Sequence, residues 1–193
     1  MKAIRLIALA ACMAATLDAS AQEQEIRLFS HRGGRMEHDE NTLSAFQASY
    51  DAGYRGFETD IRMTRDGALV ITHDSSLERT TDGTGTVEEK TEAEIRQLAT
   101  KQGNKMMFLD ELLEFLEGKE GLYVEFEMKT KPEALYPEER LHAYCDKLYD
   151  AVMAVKPADA TFVFTSGDYR GLRYLQAKHP GVDLLLITSK PCN

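Results

Sequence analysis

Apolar residues recur along this chain with two periods. Short apolar runs at 26–30, 57–61, 68–72, 122–128, 161–165 and 184–187 read as strands. Between them the spacing widens to that of helices. Thr42 is placed to cap a helix whose Leu43, Ala45, Phe46 and Ala48 follow the 3.6-residue period, and Gly53 ends it. Further helices are expected around 92–99, 109–116, 138–155 and 169–177. Asp66-Gly67 joins the second and third strands as a hairpin. Residues 75–105 are polar and turn-rich, and Glu88-Glu89-Lys90 reads there as a solvated loop. Strand–helix alternation predicts an α/β fold with a parallel sheet, and the pattern alone does not choose between a barrel and an open doubly wound sheet.

The first residues stand apart. Lys2 and Arg5 precede an apolar stretch from Leu6 to Leu17, and Ala19-Ser20-Ala21 offers a small-residue cleavage site. We read 1–21 as a signal peptide, 22–193 as one domain, and the protein as exported, periplasmic or secreted. Lipid attachment at Cys12 is the alternative. The stretch is too short for a transmembrane helix of about 20 apolar residues.

Removal of the leader moves the net charge from −9 to −10, with 21 basic against 31 acidic residues. Such a chain is a poor non-specific nucleic-acid binder, since phosphate contacts need clustered Lys and Arg. A small anionic substrate needs only local positive charge or a metal. Cys145 and Cys192 sit at no motif spacing; pairing and free thiols are both open.

Four polar clusters occupy strand ends or strand interiors, where a plain core would be apolar. His31-Arg32 closes the first strand, and His73-Asp74 ends the third. Glu58 and Asp60, two apart, point to one face of the second. Glu125, Glu127 and Lys129 share a face of the 122–128 run and its exit. Carboxylates are rarely buried unless paired or metal-bound. Three of them with few cations suggest a hard divalent ion, Mg²⁺ or Ca²⁺.

The segments HRGG at 31–34, ENTLSAFQASYDAGYRGFETDIRMTRDGALVITHDSSLERTTDGTG at 40–85 and EFEMK at 125–129 resemble the glycerophosphodiester phosphodiesterases. FLDELLEFL at 108–116 resembles that family's segment after a small insertion, and FVFTSGD at 162–168 continues the likeness weakly. The resemblance implies a TIM-type (β/α) barrel with an insertion after its second strand. It implies metal ligands at Glu58, Asp60 and Glu127, acid/base histidines at His31 and His73, and phosphate-facing cations at Arg32 and Lys129. Glu125 is the alternative third ligand, but E-x-K favours Glu127. Asn41 is expected to hold the loop carrying His31, and Asp74 and Arg79 to shape theirs, with Asp74 able to orient His73. His38, His142 and His179 fall outside the motifs and read as surface residues.

Asp39 stands where the family usually has a proline, which alters the expected loop. With 62–106 taken as hairpin and insertion, five barrel strands remain: 26–30, 57–61, 122–128, 161–165 and 184–187. A full barrel takes about 250 residues. We therefore expect a barrel truncated after five strands, with completion by an oligomer or another chain as the alternative. The activity expected from the resemblance is metal-dependent hydrolysis of a small glycerophosphodiester to glycerol 3-phosphate and an alcohol. The alternatives are a related phospholipase-type phosphodiesterase and an inactive exported binding domain.

Overall fold

The computed structural model describes residues 28–189. The leader, Cys12 and Cys192 lie outside these residues. Five strands run parallel in the order β1 (Phe29–His31), β2 (Gly56–Met63), β4 (Tyr123–Met128), β5 (Thr161–Ser166) and β6 (Leu184–Leu186). They are the five strands expected of the barrel. β3 (Leu69–Ile71) leaves that path and pairs antiparallel with the end of β2, as the Asp66-Gly67 hairpin requires. Among the described residues the sheet is open, with β1 and β6 at its edges. Helices α1 (Leu43–Asp51), α3 (Leu109–Leu116), α4 (Glu138–Val155) and α5 (Tyr169–Lys178) fill the connections. No described helix is long and apolar enough to cross a membrane.

Period two explains both faces of the sheet. On β4, Val124, Phe126 and Met128 are buried, and Tyr123, Glu125 and Glu127 on the other face are half-buried. Phe126 meets Phe162 and Phe164 at ring separations of 5.3 and 6.0 Å, and α4 adds Tyr144, Cys145 and Leu148 to the same core. Cys145 is a free thiol, fully buried, and burial pushes it up to about 12.

On the inner face, register arranges side chains in rows. The lowest row is Phe29, Gly56, Tyr123 and Thr161. A Cβ at Gly56 would come within 2.7 Å of the Leu28 carbonyl oxygen, and its absence lets Phe29 and Tyr123 meet edge to face at 5.0 Å. Above it stand His31, Glu58, Glu125 and Val163, and above those Asp60, Glu127, Thr165 and Leu185. The polar side chains that looked misplaced in sequence thus occupy two adjacent tiers.

The insertion carries its own small core of Ala68, Val70, Leu77, Val87, Ile95, Met106 and Phe108. Its helix α2 (Glu92–Ile95), capped reciprocally by Thr91 and Glu94, is shorter than the expected 92–99. Glu88 corrects the solvated-loop reading. Val87 is fully buried in that core, and its neighbour Glu88 turns inward as well, 6% exposed, onto Arg62 at 2.7 Å. His38 is exposed as expected, but His142 and His179 are half-buried and stack on Tyr174 and Tyr149.

Asp39 does by hydrogen bonding what a proline would do by ring geometry. Its Oδ2 accepts from Thr100 Oγ1 and, at 2.9 Å, from Asn104 Nδ2, tying the loop before α1 to the insertion. Asp39→Ala would leave the buried Thr100 hydroxyl without that partner. We expect a loss of about 1–3 kcal/mol in urea unfolding; an unchanged midpoint would mean that the clamp carries no stability.

Candidate active site

His31 ends β1, and the chain then turns through two non-glycine residues in the left-handed region, Arg32 (φ 53°) and Asn41 (φ 59°). Such a conformation costs energy and persists only where surrounding contacts enforce it. Those contacts are present. The Arg32 amide donates to the Glu58 carbonyl and to Glu58 Oε2, both at 3.0 Å, and the Asn41 amide donates to the Arg32 carbonyl at 2.8 Å. Gly33 lies between them at φ 75°, where a Cβ would press on Phe46 at 3.0 Å.

The loop so held faces three carboxylates. Glu58, Asp60 and Glu127 can each offer one oxygen such that the three lie within 4.8 Å of one another. Asp60 is fully buried; Asn41 Nδ2 donates to its Oδ2 at 2.9 Å, and Arg32 Nε lies 3.2 Å from the same oxygen. Lys129 pairs with Glu127 and lies 3.1 Å from Asp60 Oδ1. His31 Nε2 is 3.5 Å from Glu58 Oε2. Burial and then the Arg32 charge push the His31 pKa below its usual value. Burial, then the Asp60 charge, push Glu58 up to about 8. Glu125, one tier below Glu127, is raised mainly by burial.

The donor set fits a hard divalent cation. Glu58 Oε1 and Asp60 Oδ1 are buried and make no hydrogen bond, although Lys129 pairs with Asp60 and Glu127 and Arg32 approaches Asp60. Clustered carboxylate oxygens, two of them buried without a hydrogen-bond donor, are the ligands that Mg²⁺ or Ca²⁺ takes.

Six of the seven residues singled out in sequence therefore converge. His73, on the loop leaving β3, is joined to them through a charged chain of which sequence reasoning expected only the first link, Asp74 to His73. His73 Nδ1 and Asp74 Oδ1 are 2.6 Å apart, and Arg79 Nε donates to Asp74 Oδ2. Arg79 spans to both oxygens of Glu40 at 2.7 and 3.1 Å, and Glu40 Oε1 accepts from Arg32 at 3.1 Å. Burial alone would raise Asp74, but hydrogen bonds from Arg79 and His73 hold it at about 2. Both Glu40 and Arg79 lie within the matched motifs; their pairing across 39 residues left no local mark.

A parallel sheet carrying acids and histidines at the ends of its strands places them where barrel folds carry their active sites. The family model described as "Glycerophosphoryl diester phosphodiesterase family" matches residues 31–193, and the chain belongs to that family. It is 36% identical over 123 residues to a glycerophosphodiester phosphodiesterase of Caldanaerobacter subterraneus subsp. tengcongensis, covering 59% of this chain and 50% of the relative. A solved glycerophosphoryl diester phosphodiesterase-like protein of Silicibacter pomeroyi shares the fold, with TM-score 0.76 and 24% identity over 86% of this chain and 65% of its own. A phosphodiesterase of Oleispira antarctica, solved with its product sn-glycerol-3-phosphate, matches with TM-score 0.75 and 26% identity over 86% of this chain and 68% of its own. The chain spans about half the length of the first relative and two thirds of the solved ones.

Proposed function

We propose that this chain hydrolyses glycerophosphodiesters to glycerol 3-phosphate and an alcohol, using a divalent cation held by Glu58, Asp60 and Glu127. The observation that carries it is the carboxylate triad with buried, unpartnered oxygens, bracketed by Arg32 and Lys129. The product named for the Oleispira relative agrees with this substrate class.

When bound, the cation would neutralise charge on the phosphate as it reacts. Arg32 and Lys129 orient the phosphate between them. His31, whose protonated form is disfavoured, accepts a proton from the attacking oxygen. As the attacking oxygen bonds to phosphorus, the bond from phosphorus to the alcohol oxygen breaks, and His73, starting protonated, donates its own proton to that leaving oxygen. Asp74 holds the His73 Nδ1 side, which leaves Nε2 as the nitrogen that exchanges the proton.

The test is release of glycerol 3-phosphate from glycerophosphocholine and glycerophosphoethanolamine with Mg²⁺ or Ca²⁺, with His31→Ala as control. Turnover that needs the cation and dies with His31 supports the proposal. A folded chain that binds these compounds without turnover would make it a binding domain instead. A second readout concerns protons. Glu58, raised to about 8, is protonated at pH 7 without a cation. Its folded form holds the proton more tightly than the unfolded chain does. Cation-free stability therefore falls as pH climbs from the ordinary carboxylate range through about 8. Calorimetric titration of Mg²⁺ at pH 7 in two buffers of different ionisation heat should show about one proton released per cation bound. Equal heats in the two buffers would remove Glu58 from the ligand set.

A further inference from the structure

Arg62 is the next inner-face position of β2 after Glu58 and Asp60, yet it touches neither. It is 7% exposed, and two of its three guanidinium nitrogens make hydrogen bonds to other segments. NH1 donates to Glu88 Oε1 at 2.7 Å and to the Lys129 carbonyl at 3.3 Å, and Nε donates to the His73 carbonyl at 3.0 Å. Both oxygens of Glu88 accept: Oε1 also takes a hydrogen bond from Tyr136 Oη at 3.1 Å, and Oε2 one from Ser75 Oγ at 2.7 Å. The Tyr136 hydroxyl in turn accepts the Met63 amide at 3.0 Å.

The contrast with the tier below is informative. Arg32, Asn41, Glu58 and Asp60 each keep a buried polar atom without a hydrogen bond; Arg62, Glu88 and Tyr136 keep none. The lower tier is left open toward a ligand. The upper one is closed, so it is not itself a ligand site. What it presents instead is a rigid fork on the carbonyls of two residues from different segments, one on the loop after β3 and one after β4. These are His73 and Lys129.

We propose that the Arg62–Glu88 pair is a positioning device through which the insertion sets His73 and Lys129 relative to each other. A buried ion pair is a weak source of stability compared with apolar side chains of the same size, so stability alone does not account for it. A planar guanidinium, unlike an ammonium, can serve a carboxylate and two carbonyls in one rigid geometry. The consequence for turnover rests on the function proposed above; the placement of His73 does not.

The experiment combines Arg62→Met with Glu88→Gln in the full chain, which removes both charges together and leaves neither buried alone. Folding is checked by circular dichroism. Arg62→Lys, which keeps the buried charge, is read in the same way should the double variant not fold. The histidine ring resonances of the chain are followed by NMR, with that of His73 identified by comparison with His73→Gln. Displacement of the His73 resonances, with those of His142 and His179 unmoved, is expected. In an active chain we also expect kcat to fall roughly 10²-fold with KM nearly unchanged, because small misplacements of reacting groups act on the chemical step. Unmoved His73 resonances, or unchanged kcat in an active chain, would overturn the proposal. A wild-type chain without turnover whose His73 resonances still move in the variant would sink the proposed activity and leave the positioning role standing.

Discussion

Asp60→Asn is expected to abolish cation binding and to lower turnover by at least about 10³-fold, the several kcal/mol that a bound cation contributes to the transition state. Asp60 is fully buried, and the Asn41 amide, the Arg32 guanidinium and the Lys129 ammonium all approach its two oxygens. An amide in its place turns a donor toward one of these donors and leaves the two cations facing each other. Some stability should go as well, because a buried charge loses its partner. The measurement is therefore made on protein shown to be folded: Mg²⁺ titration by calorimetry, then turnover over a range of Mg²⁺ concentrations. Retained cation affinity would mean that Glu58 and Glu127 hold the ion without Asp60. Glu125→Gln is the internal control, since Glu125 lies outside the triad, and it should leave affinity nearly intact.

His73→Gln should cost about 10²–10⁴-fold in kcat on glycerophosphocholine, the usual scale for losing one acid/base group. The sharper expectation concerns the leaving group. A p-nitrophenyl phosphodiester expels a stable phenolate that needs no proton, so loss of the acid should hardly matter for it. His73→Gln is then expected to retain most of its activity on that ester, whereas His31→Ala should lose activity on both. Equal losses for the two variants on the two esters would remove the division into base and acid. Asp74→Asn should imitate His73→Gln in weaker form, because its amide can still accept from His73 but no longer pairs with Arg79 as a charge.

What was legible in sequence was whatever local spacing encodes. Glu58 and Asp60 lie two apart, so any strand presents them together. Glu125, Glu127 and Lys129 follow the same rule, and the five parallel strands were visible as apolar runs. Register adds the neighbours across strands that spacing within one strand cannot carry: Asp60 stands beside Glu127, and Glu58 beside Glu125. Glu88 was misread because charge next to charge looks solvated, and only its contact with Arg62, 26 residues earlier, reveals the buried pair. Glu40 and Arg79 were in plain view within the motifs, but an ion pair across 39 residues has no signature in one chain. Asp39, which reads as a lost proline, is a side-chain clamp whose partners lie 61 and 65 residues away.

The Cys145 thiol sits inside α4 against the Gly171 carbonyl of α5, shut off from solvent and held in its unreactive protonated form. Since only a thiolate attacks an alkylating reagent, this sulfur is silent while the helix lies on the sheet. Its modification under native conditions then counts departures of α4 from the body of the protein. The chain carries a built-in clock for its own opening, and slowing of that clock by Mg²⁺ would register ligand binding without any turnover.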